Sequence, residues 1–75
     1  MDVVSIQTEE GKIYKFDPET ERVFLDGVLL SKNQAEPVYS DVNGSTVFSG
    51  LFLKLANQIL TLSGKINPVT NSASL

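Results

Sequence analysis

The sequence contains no cysteine, no histidine and no tryptophan, and its methionine count is one. Those absences exclude disulfide staples, thiolate nucleophiles, Cys/His zinc sites, haem ligation by His or Cys, and triads built on histidine. Cationic side chains are scarce as well. Six Lys and Arg stand against nine Asp and Glu, a net charge of −3, with a pI near 4.6. Binding to a phosphate backbone needs a cationic footprint, so this balance argues against DNA or RNA as the main partner. Apolar runs such as Val28-Leu29-Leu30 and Leu51-Phe52-Leu53 are far too short to span a bilayer. The opening residues Met1-Asp2-Val3-Val4-Ser5 lack the basic and apolar regions of a secretory signal. The expectation is a cytoplasmic protein or part of a particle, with no membrane partner. In that setting Asn43-Gly44-Ser45 reads as a turn rather than a glycosylation acceptor.

What is present describes one globular domain. The chain has 75 residues, 41% hydrophobic and 20% charged, with a mean hydropathy of +0.02. That is too apolar for a disordered chain and too short for two domains. A domain of this size buries only about 60–65% of its unfolded surface, which leaves little net stability. Chains below about 80 residues usually add disulfides, a metal or oligomerisation. Disulfides are impossible here and no convincing metal-ligand set exists, so either the core is unusually well packed or another chain completes the fold.

Residues 2–31 read as a β-meander. Val4 and Ile6 share one face of a first strand, and Gly11 supplies a positive φ after Glu9 and Glu10. Tyr14 and Phe16 share a face of the second strand, and Asp17-Pro18-Glu19-Thr20 has the chemistry of a type I turn. Asp26-Gly27 is a type I′ signal, which sets Leu25 opposite Val28, Val23 opposite Leu30 and Phe24 opposite Leu29. Both faces of that hairpin are apolar, whereas a pair covered on one side alternates apolar with polar. After a polar loop at 31–37, Asn43-Gly44 marks a second short hairpin between Val38-Tyr39-Ser40 and Thr46-Val47-Phe48.

Residues 50–64 fit two periods. As strands, Leu53 and Leu55 alternate with Lys54, Ala56-Asn57-Gln58 turns the chain, and Leu60 and Leu62 alternate with Thr61. As a helix, Lys54, Asn57, Gln58 and Thr61 fall in an arc of about 100°, with apolar residues filling about 200°. Ser49 would cap the helix and Gly64 would follow its end. The helix is the preferred reading, with Phe52, Leu55, Ile59 and Leu62 packed on Val23, Leu25, Val28 and Leu30. The fold expected is therefore α+β: an antiparallel meander sheet of five or six strands with one C-terminal amphipathic helix. An all-β small barrel or sandwich is the alternative. Residues 1–66 would form the domain and 67–75 a polar tail, with no dividing linker and no internal repeat.

Carboxylates are the only plentiful catalytic groups. Asp17, Glu19 and Glu21 have the spacing of a calcium loop's first ligands, but Arg22 stands where that loop needs Gly and Val28 where it needs an acid. Asp41, Asn43 and Ser45 repeat the spacing with less charge. No carboxylate pair has a visibly desolvated setting that would tune its pKa for catalysis, so no enzyme is expected. No cofactor and no metal are expected either. The isolated glycines form no phosphate loop.

Lys12, Tyr14, Lys15, Phe16, Arg22 and Phe24 put basic and aromatic residues on adjacent strands. Small barrels that bind single-stranded nucleic acid or another ligand use such a platform, with Tyr14, Phe16 and Phe24 as the stacking residues. Glu9, Glu10, Asp17, Glu19 and Glu21 surround the patch and cancel its field. The wide apolar arc at 51–62 and the two-sided hairpin point instead to protein contact. Phe24, Leu29, Leu51, Leu53 and Leu60 are the candidate interface residues. A small, acidic, cysteine-free chain with a hairpin meander and an extended tail resembles, in kind, subunits of viral particles such as capsid decoration or tail-assembly proteins. The function expected is a non-catalytic structural or interaction subunit. It would act by self-association as a homo-oligomer, or by docking onto a larger protein assembly.

Overall fold

The computed structural model describes residues 2–69, and among them the chain is all-β. Its strands are β1 (Val4–Gln7), β2 (Ile13–Asp17), β3 (Arg22–Leu25), β4 (Val28–Leu30), β5 (Ala35–Val42), β6 (Ser45–Leu53), β7 (Gln58–Thr61) and β8 (Ile66–Pro68). They form two four-stranded antiparallel meanders, ordered β1-β2-β3-β4 and β5-β6-β7-β8. Alternation puts Ile6, Tyr14, Phe16 and Val23 on the inner face of the first sheet, and Ala35, Leu51, Leu53 and Leu60 on that of the second. These eight buried residues make one shared core, with Val4, Leu25, Leu30, Phe48 and Ile66 packed at its margin.

Turn chemistry sets the registers. Asp26 and Gly27 take φ values of 48° and 85°, which gives the Val23–Leu30, Phe24–Leu29 and Leu25–Val28 pairs expected from the type I′ turn. Asp26 also ties this turn to β2: its Oδ1 accepts the Ile13 N–H at 3.0 Å, and its own N–H donates to the Ile13 carbonyl at 2.9 Å. Asn43 and Gly44, at 51° and 81°, close β5 onto β6. That hairpin is longer than the sequence suggested. Its strands run to eight and nine residues because the second continues past Gly50 to Leu53.

The expected helix over 50–64 is replaced by the end of β6, a turn at Lys54–Asn57, and β7. The α+β expectation is thereby corrected to the all-β alternative. The physical reason lies in the residues chosen as helix ends. Ser49 caps no helix: it sits at the irregularity where Tyr39 pairs with Phe48 but Val38 with Gly50, and its Oγ donates to the Val38 carbonyl at 3.1 Å. Gly64, at φ 90°, belongs to the β7–β8 turn. The wide apolar arc arose because Leu51-Phe52-Leu53 is apolar at every position. Such a run also suits a strand apolar on both faces. Leu55 and Leu62, expected to pack on the first sheet, are 82% and 50% exposed, and Val28 is 63% exposed. The second sheet's inner face supplies the cover that the helix was expected to give.

A repeat emerges that the sequence reading missed. Ile6-Gln7-Thr8-Glu9-Glu10-Gly11-Lys12-Ile13 and Ile59-Leu60-Thr61-Leu62-Ser63-Gly64-Lys65-Ile66 agree at five of eight positions. They fold alike. Gly11 N–H donates to the Thr8 carbonyl and Gly64 N–H to the Thr61 carbonyl, each at 3.0 Å. Thr8 N–H reaches the Lys12 carbonyl at 2.8 Å, and Thr61 N–H reaches the Lys65 carbonyl at 2.9 Å. The hairpins nevertheless present opposite faces to the core. Ile6 is buried and Ile13 40% exposed, while Leu60 is buried beside Ile59 and Ile66 packs inward. The second turn also leans on the first sheet, because a Cβ at Gly64 would overlap the Gln7 carbonyl oxygen of β1.

Asn67 and Pro68 belong to β8, so pairing extends past residue 66. Val69 follows it, its N–H donating to the Asn57 carbonyl at 2.9 Å. The rest of the predicted tail lies outside the described residues.

Candidate protein-interaction surfaces

The outer face of the first sheet carries one row across all four strands: Ser5, Lys15, Phe24 and Leu29. Phe24 is half-buried by its neighbours and Leu29 is 52% exposed. The second sheet has a matching outward row of Glu36, Phe52, Ile59 and Asn67. Phe52 and Ile59 are half-buried. Lys54 Nζ meets Glu36 Oε1 at 2.7 Å at the end of this face.

Of the five predicted interface residues, the structure leaves Phe24 and Leu29 on a surface. Leu51 and Leu60 are fully buried and Leu53 is 9% exposed, all three in the protomer's own core. Intermolecular burial of those three is corrected on that ground: their apolar surface is already consumed by the first sheet.

The basic-aromatic platform is not assembled. Tyr14 and Phe16 point inward, at 7% and 1% exposed, whereas Lys15 pairs with Phe24 on the opposite face. Phe16 instead stacks on Phe48, with centroids 4.4 Å apart, and Tyr39 meets Phe48 edge-on at 6.3 Å. Arg22 pairs with Asp17 across β2 and β3, and Lys12 lies in the β1–β2 turn. The six residues are thus divided among the core, the outer face and a turn.

At one end of the sandwich the two sheets part around a cleft of about 230 Å³. Leu25, Leu30, Leu53, Leu55, Ala56 and Ile66 give it an apolar lining, and Glu10, Lys12, Gln34 and Gln58 give it polar edges. Sequence reasoning missed this site because it placed Leu55 inside a helix. In the structure Leu55 sits in the turn that ends at Asn57, whose φ is 52°. Tyr14 also lines the cleft. Burial pushes its hydroxyl pKa up, and the carboxylates of Glu10 and then Asp26 push it further. A second, more polar hollow of about 400 Å³ adjoins it and shares Glu10, Gln58 and Ile66.

The acidic turns are held by hydrogen bonds. Asp17 Oδ1 accepts the Glu19 N–H at 3.0 Å, and its carbonyl accepts the Glu21 N–H at 2.7 Å. Glu21 Oε1 accepts the Tyr39 hydroxyl at 2.8 Å, which links the β2–β3 turn to β5. Asp41 Oδ1 accepts the Thr46 hydroxyl at 3.2 Å. Among the described residues no three Asp or Glu side chains cluster closely enough to hold a metal ion. Among them, too, no helix is long and apolar enough to cross a membrane. No protein-family model, no curated protein and no solved structure significantly matches the chain.

Proposed function

We propose that this protein is a non-catalytic structural subunit that works by associating with further protein, foremost with copies of itself. One observation carries the reading. Each sheet spends its inner face on the shared core and still turns an apolar cross-strand pair outward, Phe24–Leu29 on one side and Phe52–Ile59 on the other. A one-sided sheet of a solitary sandwich alternates apolar-in with polar-out, so an apolar pair on each outer face asks for cover. No third layer exists among the described residues to provide it. The disposition also suits the size of the chain, since burying these pairs between copies adds apolar area that a protomer of this length lacks.

Sedimentation velocity from nanomolar to high micromolar protein tests this. The expected result is a mass that rises with concentration and an association weakened by Leu29→Asp. A protein that stays monomeric over the whole range, and captures no partner from its native source, overturns it.

A further inference from the structure

Leu55 is the most exposed large apolar residue among the described positions, at 82%. It stands on the rim of the cleft floored by Leu25, Leu30 and Leu53. From this pairing of a projecting leucine with an apolar recess on one face, we infer that two copies dock around a two-fold axis. Each inserts Leu55 into the other's cleft. The inference rests on the self-association proposed above and names a contact separate from the outward sheet rows.

Three physical points lead to this occupant. The recess, at about 230 Å³, has room for one or two protein side chains. Half of its lining residues are aliphatic, Leu25, Leu30 and Leu53 among them, and an aliphatic knob complements that part of the wall. The knob and the recess also share a face, because Leu55 is itself one of the lining residues. Two such faces must be opposed to touch, and a face bearing both parts is self-complementary under a two-fold rotation. A head-to-tail arrangement would need knob and recess on opposite sides of the protomer.

The charges on the rim allow the approach. Glu10 and Lys12 both line the cleft, so a two-fold axis can bring opposite signs together and does not force like charges into contact. The turn that carries Leu55 is also well fixed. Asn57 N–H donates to the Lys54 carbonyl at 3.2 Å, and Lys54 N–H donates to the Gln34 carbonyl at 2.9 Å. A turn whose backbone is held in place before docking loses less conformational freedom on binding.

The test compares wild type with Leu55→Asp and Leu29→Asp by sedimentation over a concentration series. Circular dichroism melts serve as the folding control. The expected result is that wild type dimerises and that Leu29→Asp, though weakened in association beyond the dimer, still forms the dimer. Leu55→Asp should melt like wild type but lose about a hundredfold or more in dimer affinity, since two buried leucines are removed per dimer. Leu55→Trp adds a direct readout, because the chain has no tryptophan of its own. Its emission should shift to the blue as concentration rises. If wild type and Leu55→Asp dimerise equally tightly, or if the indole stays solvent-exposed in the dimer, this inference is overturned while self-association stands. If wild type never dimerises, this inference is overturned, and the proposed function falls with it only when the protein also captures no partner from its native source.

Discussion

Phe16 of β2 and Phe48 of β6 stack with ring centroids 4.4 Å apart and planes 10° from parallel, which joins the two sheets through one aromatic pair. Phe16 is 1% exposed and Phe48 packs at the core margin. Truncating Phe48 to alanine should therefore cost about 3 kcal/mol, from lost burial and the cavity left behind. For a domain this small that is a large part of the total stability. Urea unfolding at 25 °C measures it, and a loss below about 1 kcal/mol would show that the stack does not hold the sheets together.

Gly11 and Gly64 occupy matching turns at φ 89° and 90°, yet their surroundings differ. A Cβ at Gly11 meets nothing, while one at Gly64 overlaps the Gln7 carbonyl. Gly11→Ala should cost about 1–2 kcal/mol, the backbone penalty of a left-handed conformation. Gly64→Ala should cost about 1–3 kcal/mol more, because β1 or the turn must move. Equal costs in denaturant melts would mean the contact between the sheets at Gln7 carries no energy.

The Glu36–Lys54 ion pair is short, at 2.7 Å, but its side chains are 45% and 31% exposed. Water and salt screen such a pair, so Lys54→Ala should change stability by no more than about 1 kcal/mol. That small effect should fade further in 1 M sodium chloride. A loss of 2 kcal/mol or more, independent of salt, would contradict this assignment.

Alkaline pH should loosen the fold through its tyrosines. Burial, then Glu10 and Asp26, raise the Tyr14 pKa, while burial and Glu21 raise that of Tyr39. The folded state thus favours the neutral phenol, and the unfolded chain gives up its proton first. The associated stability is complete below the ordinary tyrosine pKa of about 10 and is lost as pH climbs from there through the folded value. Tyr14→Phe should flatten the fall of Tm between pH 9 and 11, a window taken roughly around that ordinary value. An unchanged slope in the variant would exclude Tyr14 as its source.

The legible parts of this fold were those in which a turn dictates its neighbours. Asp26-Gly27 fixed three cross-strand pairs because a two-residue turn with positive φ leaves one register open. Tyr14 and Phe16 were legible as a shared face, but nothing local told which side would be inward. That choice depends on Phe48 and Leu51, which lie far along the chain. The helix misreading came from Leu51-Phe52-Leu53, a run that carries no period. The repeat escaped notice because the two copies turn opposite faces to the core, so Gln7 answers to Leu60 and Glu9 to Leu62. Identical turns thus sit within dissimilar hydrophobic patterns. The cleft was illegible for a related reason: it forms only where the ends of β3, β4, β6 and β8 converge, and no segment encodes it alone.

The lean of Gly64 on Gln7 also bears on how the molecule is made. Gln7 is made with the first strand and Gly64 only after the seventh, so during synthesis the first meander waits for a cap at its edge strand until most of the second has been made. Contacts between residues so distant in the chain slow folding, and an uncapped strand invites pairing with a stranger in the meantime. Nascent chains cut short before Gly64 should therefore be the aggregation-prone species, and the mature protomer the one that has outgrown that hazard.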